Sequence, residues 1–572
     1  MFVPKSVTCL RNYDSRTFLS DLFAGVTVGV VALPLAMAFA IASGVTPERG
    51  IYTAVVAGFL ISALGGSKVQ IGGPTGAFVT IVAAIVAKYG YPGLVLCTFL
   101  AGALLVVMGL CRFGGMIKFI PFPVVTGFTS GIAVVIFSSQ MKDFFGIQME
   151  NPPAEFFPKW LAYWNHLHGI NFSAAAIGIG TVAGIFVLRR LTPKVPAMLV
   201  AMLLATAISA MLKLPVETIG SKFHELPRTL PSPSIPHFDL SQVRDLMSPA
   251  LTVALLAAIE SLLSATVADG MTGGRHKSNM ELVAQGFANI GSVIFGGIPA
   301  TGAIARTVTN IKSGAKTPVA GMIHALVLLI VLLVFAPLAK LIPLSCLAGI
   351  LVVISYQMSE IDQFRRLLRA PRSDVMVLLS TFAITVIIDL TVAVQVGVVL
   401  ASLLFIKRMG EVTNVGAVTR EFADQEEKAD PNAASTRQIP AGVEVYEING
   451  PFFFGAAESF KETLRFVEPT PKALILRMRN VPAIDATGLH LLHQLHQQCL
   501  SSGTAFLLSD VHAQPVVALM KSDLWREIGE SNITGNIDSA LDRARELLHL
   551  PAVEHTVPFI PTVEREKDKT DK

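Results

Sequence analysis

The sequence predicts an α-helical polytopic membrane protein. Fourteen segments form a seven-plus-seven inverted repeat, and a small cytoplasmic α/β domain follows. Three observations carry this prediction. Apolar residues fill 52% of the 572 positions and charged residues only 15%, whereas soluble domains carry about 25% charged residues. Apolar segments succeed one another almost without a break from 19 to about 406, at a mean hydropathy of +0.59 for the whole chain. Basic residues alternate from loop to loop. This composition excludes disordered, collagen-like and disulfide-scaffold proteins, each of which needs more charge, Gly-Pro repeat or Cys. A net charge of +4 says little about nucleic acid, no nucleic-acid partner is expected, and the basic residues are read as a topology signal. The five cysteines lack CxxC spacing, so neither disulfides nor a metal site is expected. The first twenty residues are polar and do not resemble a cleavable signal peptide.

The fourteen segments fall near 21–44, 51–65, 74–88, 92–111, 120–142, 171–190, 195–213, 247–269, 279–295, 300–311, 318–341, 344–358, 373–389 and 391–407. Several fall short of the roughly 20 residues a spanning helix needs. The third and tenth start after Gly/Pro-rich stretches, and such short, interrupted segments point to a transporter-type binding site. The even-numbered loops and their edges hold fourteen Lys and Arg, from Lys68 to Arg372, and include Lys118 and Lys194. The short odd-numbered loops hold only Arg49, Lys88 and Lys340. By the positive-inside rule, the even loops and both termini are cytoplasmic.

Seven helices followed by seven invert the second half. A local echo supports this, since Thr75-Gly76-Ala77 and Thr301-Gly302-Ala303 each open a short segment. An anion inside a bilayer needs compensating positive potential. Two facing helix N-termini supply it through unpaired N–H groups and the helix dipole. Segments beginning at Pro74 and Ala300 would do this, with Gly72, Gly73, Gly76 and Gly302 allowing close backbone approach and Thr75 and Thr301 adding hydroxyls. Arg306, in the tenth segment, is a full charge at membrane depth and suits a dianion or an oxoanion. Its other readings are a side chain that snorkels, or a structural partner that neutralises Glu260.

Glu260 lies mid-segment with Ser264 one turn on. It is a candidate proton carrier, a candidate Na⁺ ligand together with Ser264, or a structural partner for a broken-helix backbone. Asp269 is expected to cap its helix or pair with Arg275, and Asp389 to serve a tight turn. Asn279, Glu281, Gln285 and Asn289 form a polar stripe that reads as interhelical glue. Pro34 either breaks the first segment near a ligand or only kinks it.

Beyond 408 the sequence is that of a soluble domain. Residues 443–450, 473–479 and 505–509 read as strands and 456–467 and 486–501 as helices, which makes an α/β layer. Asp485 is an expected N-cap. His490, His493, His496 and Cys499 recur every third residue, a spacing that drifts round a helix and does not hold a metal.

Several ordered motifs resemble the SulP anion transporters over nearly the whole chain. They are AGVTVGVVALPLAMAFA at 24–40, GGPTGAF at 72–78, AAIESLLSATVADGMTG at 257–273, NMELVAQGFANIGSVIFGGIPATGAIARTVTN at 279–310, and IDATG at 484–488 within a STAS-like domain. The resemblance implies a core and a gate domain, with an anion held between the third and tenth helices and moved in an elevator-like manner. It places substrate contacts at Thr75, Gly76, Ala77, Thr301, Gly302, Ala303 and Arg306, and ion coupling at Glu260 and Ser264. It implies a homodimer, a possible cytoplasmic partner for the STAS domain, and a regulatory phosphosite at Thr487. Many members carry Gln where Leu35 follows Pro34, so sulfate specificity does not carry over directly. The same stretch looks most like the bacterial branch of proton-coupled C4-dicarboxylate carriers.

The expected organisation is a cytoplasmic N-terminus at 1–18, a transmembrane domain at 19–408, a linker at 409–440, a STAS domain at 441–552 and a charged tail at 553–572. The expected activity is secondary active transport of a small anion across a bacterial inner membrane. Proton-coupled C4-dicarboxylate or sulfate uptake leads. Na⁺-coupled bicarbonate transport and uncoupled exchange or channel activity are the alternatives. No cofactor beyond H⁺ or Na⁺ and no enzymatic site are expected.

Overall fold

The computed structural model describes residues 2–115, 121–149, 153, 155–192, 196–223, 227, 229–234, 240–388, 390–412, 414–417, 437–453 and 471–552. Two compact units divide the chain, Met1–Ala401 and Ser402–Lys572.

In the first unit, α1 (Lys5–Cys9) precedes α2 (Ser15–Ala42), α3 (Pro47–Leu64) and the two-residue strand β1 (Gly72–Gly73). A 3₁₀ turn, Gly76–Phe78, leads into α4 (Val79–Leu110). Next come α5 (Phe122–Phe145), α6 (Phe156–Asn165), α7 (Phe172–Leu191), α8 (Ala197–Met211) and α9 (Ile219–Phe223). The second half has α10 (Leu240–Thr272), α11 (Ser278–Ile294), β2 (Thr301–Gly302), α12 (Ile304–Lys312) and α13 (Val319–Ala339). It closes with α14 (Leu344–Met358), α15 (Ile361–Leu367), α16 (Arg372–Ile387) and α17 (Leu390–Val412).

Each of the fourteen expected segments falls on one of these helices. The third and fourth are the two halves of α4, which turns at Gly90 (φ 67°) just before Pro92. Seven of the described helices are long and apolar enough to cross a membrane, and two more are apolar but shorter. Short helices α1, α6, α9 and α15 carry no long apolar period and went unpredicted. Local chemistry sets the ends. Asp14 accepts from Thr17 N–H at 2.9 Å to start α2, and Asn171 caps α7 through Ser173 and Ala174. Gly146 ends α5 in the left-handed region. Pro34 lies inside α2, which runs on unbroken through Ala42.

The helices sort into two bundles. In one, α2, α3, α4, α10, α11, α12 and α13 pack together; in the other, α5 packs on α7, α14 and α16, and α7 on α8. Buried polar groups knit the first bundle. Glu281 is fully buried and accepts from Gly66 N–H (2.8 Å), Ser67 N–H (3.2 Å), Ser261 Oγ (3.1 Å) and Gln285 Nε2 (2.9 Å). Asn289 donates to and accepts from Ala300, both at 2.9 Å, and Asn279 accepts from Gly114 N–H. The predicted polar stripe is therefore interhelical glue. Asp269 departs from expectation. Its carboxylate accepts from His276 N–H at 2.8 Å and meets His276 Nδ1 at 2.7 Å, because the chain turns back at Gly273 and brings His276 to the end of α10.

In the second unit, strands β3 (Asn414–Ala417), β4 (Val443–Asn449), β5 (Ala473–Asn480), β6 (Ala505–Ser509) and β7 (Ile533–Thr534) form one sheet in that order. β3 is antiparallel to β4 and the rest are parallel. Helices α18 (Ala486–Ser501), α19 (Ala513–Lys521), α20 (Leu524–Ile528) and α21 (Ile537–Leu547) complete it. Leu491, Leu495 and Leu519 pack with Ile448 and Leu476 in one core, and Leu541 and Ala544 pack with Val445 and Ile475 in another. β5 is buried on both faces, as its continuous apolar run requires. Three of the strands and α18 lie where the sequence put them, and Asp485 caps α18 through Gly488 N–H at 2.8 Å. β3 and β7 are too short to show a period. The expected helix at 456–467, Asp389, Lys118, Lys194, residues 418–436 of the expected linker and the tail at 553–572 lie outside the described residues.

Candidate functional site

The site begins with a strand pair. β1 and β2 run antiparallel, with Gly72 opposite Gly302 and Gly73 opposite Thr301. Each strand is followed within a few residues by a helix start, at Gly76 after β1 and at Ile304 after β2. The pairing also moves both starts. Expected at Pro74 and Ala300, they lie at Gly76 and Ile304, because 72–73 and 301–302 commit their backbone to each other and Thr75 is extended (φ −127°, ψ 160°).

This shift changes which donors are presented. Among the described residues, the N–H groups of Gly76 and Ala77 have no protein acceptor, nor do those of Ile304, Ala305 and Arg306. Ala303 N–H donates to Ile71 at 2.8 Å, and the Thr301 hydroxyl donates to Ala257 at 2.8 Å. Both of those groups hold the scaffold together. Ile304 and Ala305 are exposed beside buried Ala303 and Arg306. The repeated Thr-Gly-Ala points to an earlier helix start and so does not single out these two residues. The signal available was the glycine pair at 72–73, which favours an extended turn over a helix.

Arg306 is 3% exposed. Its Nη2 donates to the Pro74 carbonyl, tying α12 to the opposite half-site, and its Nη1 has no partner. A buried guanidinium with a free N–H is poised for an oxoanion or carboxylate. Gly73 sits at φ 150°, and a Cβ there would lie 2.6 Å from Nη1, so a side chain here would strain the backbone and displace the guanidinium. A Cβ on Gly302 would lie 1.6 Å from Gln70 Nε2, which fixes that position too. A Cβ on Gly76 would meet Met358 and Phe39, so α14 and α2 approach this end of the site.

Glu260, on α10, is half-buried and accepts from the Thr75 hydroxyl at 2.9 Å. No salt bridge joins it to Arg306 among the described residues. Ser264 is buried and donates to Thr307 at 3.1 Å; Thr307 in turn accepts from Ile71 N–H at 3.0 Å. The structure therefore gives Glu260 a threonine partner from the other repeat and places Ser264 in a separate chain of hydroxyls under β1. His324 on α13, which the sequence reading passed over, is fully buried with neither ring nitrogen paired. It lies behind the cradle, where a Cβ on Gly58 would be 3.7 Å from Nδ1 and 3.1 Å from the Gly72 carbonyl.

In the second unit, Thr487 is exposed in the first turn of α18. His493 pairs with Glu527 at 2.8 Å, and His490 with Gln494 at 3.0 Å. Among the described residues no group of three or more His, Cys, Asp or Glu is placed to hold a metal ion.

A helical membrane unit with two helix starts at a paired strand, followed in the chain by a small α/β domain, defines a membrane transporter. The sulfate permease family signature matches residues 18–381, and that of the STAS domain matches 434–542. The chain belongs to the sulfate permease family, the SulP transporters, and is an anion transporter with a C-terminal STAS domain. YvdB of Bacillus subtilis, provisionally named a sulfate transporter, is 42% identical over 92% of this chain and 98% of its own. The bicarbonate transporter BicA of a Synechocystis species is 30% identical over 92% of this chain and 94% of its own. Among solved structures, murine Slc26a9 superposes with a TM-score of 0.85 at 19% identity, covering 95% of this chain and 94% of that one. The transmembrane domain of a cyanobacterial BicA gives a TM-score of 0.60 at 30% identity, over 68% of this chain and 98% of that one.

Proposed function

We propose that the protein takes up a small, preferentially divalent anion across a bacterial inner membrane, driven by a proton gradient. C4-dicarboxylate and sulfate are the leading substrates. The observation that carries this reading is that five backbone N–H groups with no acceptor among the described residues stand at the two helix starts beside the β1–β2 pair, together with the free Nη1 of Arg306. Two half-helix dipoles and one guanidinium favour a dianion over a monoanion. In this reading Thr75, Gly76, Ala77, Thr301, Gly302, Ala303 and Arg306 bind or frame the substrate. The donors come from the helix starts, while Thr301 and Ala303 hold the frame.

Glu260 is proposed as the coupling group. Protonated, it lets a dianion enter without adding a third negative charge to the site. Ionised, it accepts the Thr75 hydroxyl bond and repels the substrate. Ser264 reaches the site through Thr307. The bundle that holds the cradle then moves as a body against the α5–α14 bundle, in an elevator-like step. Both termini are placed in the cytoplasm on the loop-charge argument. A homodimer is proposed on the family resemblance and is tested by cross-linking in membranes. The STAS domain is proposed as a regulatory module, with Thr487 as its accessible phosphosite at a helix N-terminus.

A second reading is Na⁺-coupled bicarbonate transport, favoured by the likeness to BicA. Radiolabelled succinate uptake into proteoliposomes, with and without an inward proton gradient and with sulfate or bicarbonate competing, separates the two. Gradient-driven accumulation of succinate or sulfate supports the first. Bicarbonate uptake that needs Na⁺ and ignores the proton gradient replaces it with the second.

A further inference from the structure

Helix α6 is turned inside out for a helix in water. It spans Phe156–Asn165, ten residues, and so is far too short to cross a bilayer. It packs on α5 and α16. Its protein-facing stripe is Phe156, Lys159, Ala162 and Tyr163, with Tyr163 only 4% exposed. The opposite stripe carries Phe157 (64% exposed), Leu161 (63%) and Trp164 (73%), flanked by Trp160. The helix's one charged side chain, Lys159, is thus on the inner stripe, where burial lowers its pKa below the ordinary lysine value. An aqueous helix has the reverse arrangement.

The outward face does not stand alone. Leu167 and Phe172 continue it, the latter 85% exposed at the first position of α7. Exposed Ile179, Phe186 and Val187 then carry it along the spanning part of α7. Along the chain, exposed apolar residues thus run from α6 into a helix long and apolar enough to cross a membrane. Tryptophan is enriched where the hydrocarbon meets the headgroups, because its ring is apolar and its indole N–H seeks a polar partner.

We propose that α6 lies in the membrane interface and is held there by lipid. It seats Phe157, Trp160, Leu161 and Trp164 at the headgroup boundary of the leaflet opposite the Arg365–Arg372 loop, anchoring the α5 bundle at a fixed depth.

The chain has three tryptophans, Trp160, Trp164 and Trp525, and Trp525 belongs to the second unit. The Trp525→Phe protein therefore reports on α6 alone. It is reconstituted at low density into phosphatidylcholine–phosphatidylglycerol vesicles brominated either near the headgroup end of the acyl chains or near their tips. The expected result is strong quenching by the first lipid, weaker quenching by the second, and little quenching by aqueous acrylamide. Strong acrylamide quenching with no bromolipid effect would place α6 in water and overturn the proposal. So would bromolipid quenching that disappears as protein density rises, since a second copy would then cover the face. If Trp525→Phe does not fold, the wild type is compared with Trp160→Phe/Trp164→Phe. Loss of the bromolipid-sensitive emission in the double variant supports the assignment, and its persistence refutes it.

Discussion

The Thr75 hydroxyl donates to Glu260 at 2.9 Å across 185 residues of sequence. One belongs to the first half-helix and the other to the helix that flanks the second. A change of charge on Glu260 is therefore felt at the start of the opposite half-site. This bond links Glu260 to the residue that follows the strand pair, and among the described residues no Glu260–Arg306 ion pair accompanies it.

If Glu260 carries the coupled proton, Glu260→Gln should abolish pH-dependent accumulation while leaving some exchange. Glutamine keeps a carbonyl to accept from Thr75 but cannot release a proton. Uptake and counterflow in proteoliposomes, compared across external pH, give the answer. Unchanged accumulation and pH dependence would remove Glu260 from coupling.

Arg306→Ala should weaken dianion binding about 10–100-fold, since hydrogen bonds to a charged group contribute about 1.5–3 kcal/mol. A monoanion should lose less. Competition by succinate or sulfate against a monoanionic analogue reads the difference, and equal losses for both would refute a charge-selective role.

Gly73→Ala should act on Arg306 more than on the fold. The added Cβ would sit 2.6 Å from Nη1, and the φ of 150° is unfavourable for alanine. A large rise in KM with a melting temperature within a few degrees of wild type is expected. A normal KM would show that Nη1 does not contact substrate.

Glu281→Ala should lower thermal stability sharply. It strands four buried donors, two of them backbone N–H groups of the Gly66–Ser67 turn. Each costs about 1–3 kcal/mol when left unpaired. A fluorescence-detected melt in detergent measures the loss, and an unchanged melting temperature would mean that water replaces the carboxylate.

In the second unit, burial pushes the Cys499 thiol up to about 11, and it is 5% exposed. It is therefore protonated at neutral pH and shielded. A maleimide at pH 7.5 should label exposed Cys111 and leave Cys499 unmodified until the domain unfolds. Peptide mapping by mass spectrometry checks this, and rapid labelling of Cys499 in the folded protein would contradict the burial.

Much of this protein was determined locally and was legible as pattern. Long apolar runs fix the spanning helices because bilayer hydrocarbon leaves the backbone no partner but itself. Alternating strand and helix periods gave β4, β5, β6 and α18, and the glycine-flanked Thr-Gly-Ala repeats marked where two helices break. Tertiary structure decided what those breaks do. The β1–β2 pairing consumes the backbone at 72–73 and 301–302, so the free donors move on to Ile304 and Ala305. It also spends the hydroxyl of Thr301 on the scaffold and gives Thr75 to Glu260. None of these partners lies near the other in sequence, and each follows from which unpaired group is brought within reach when the two repeats cross. Asp269 is a local case, its partner His276 being brought back within seven residues by the reversal at Gly273. For α6, the apolar face can be assigned only once the surface beneath it is known.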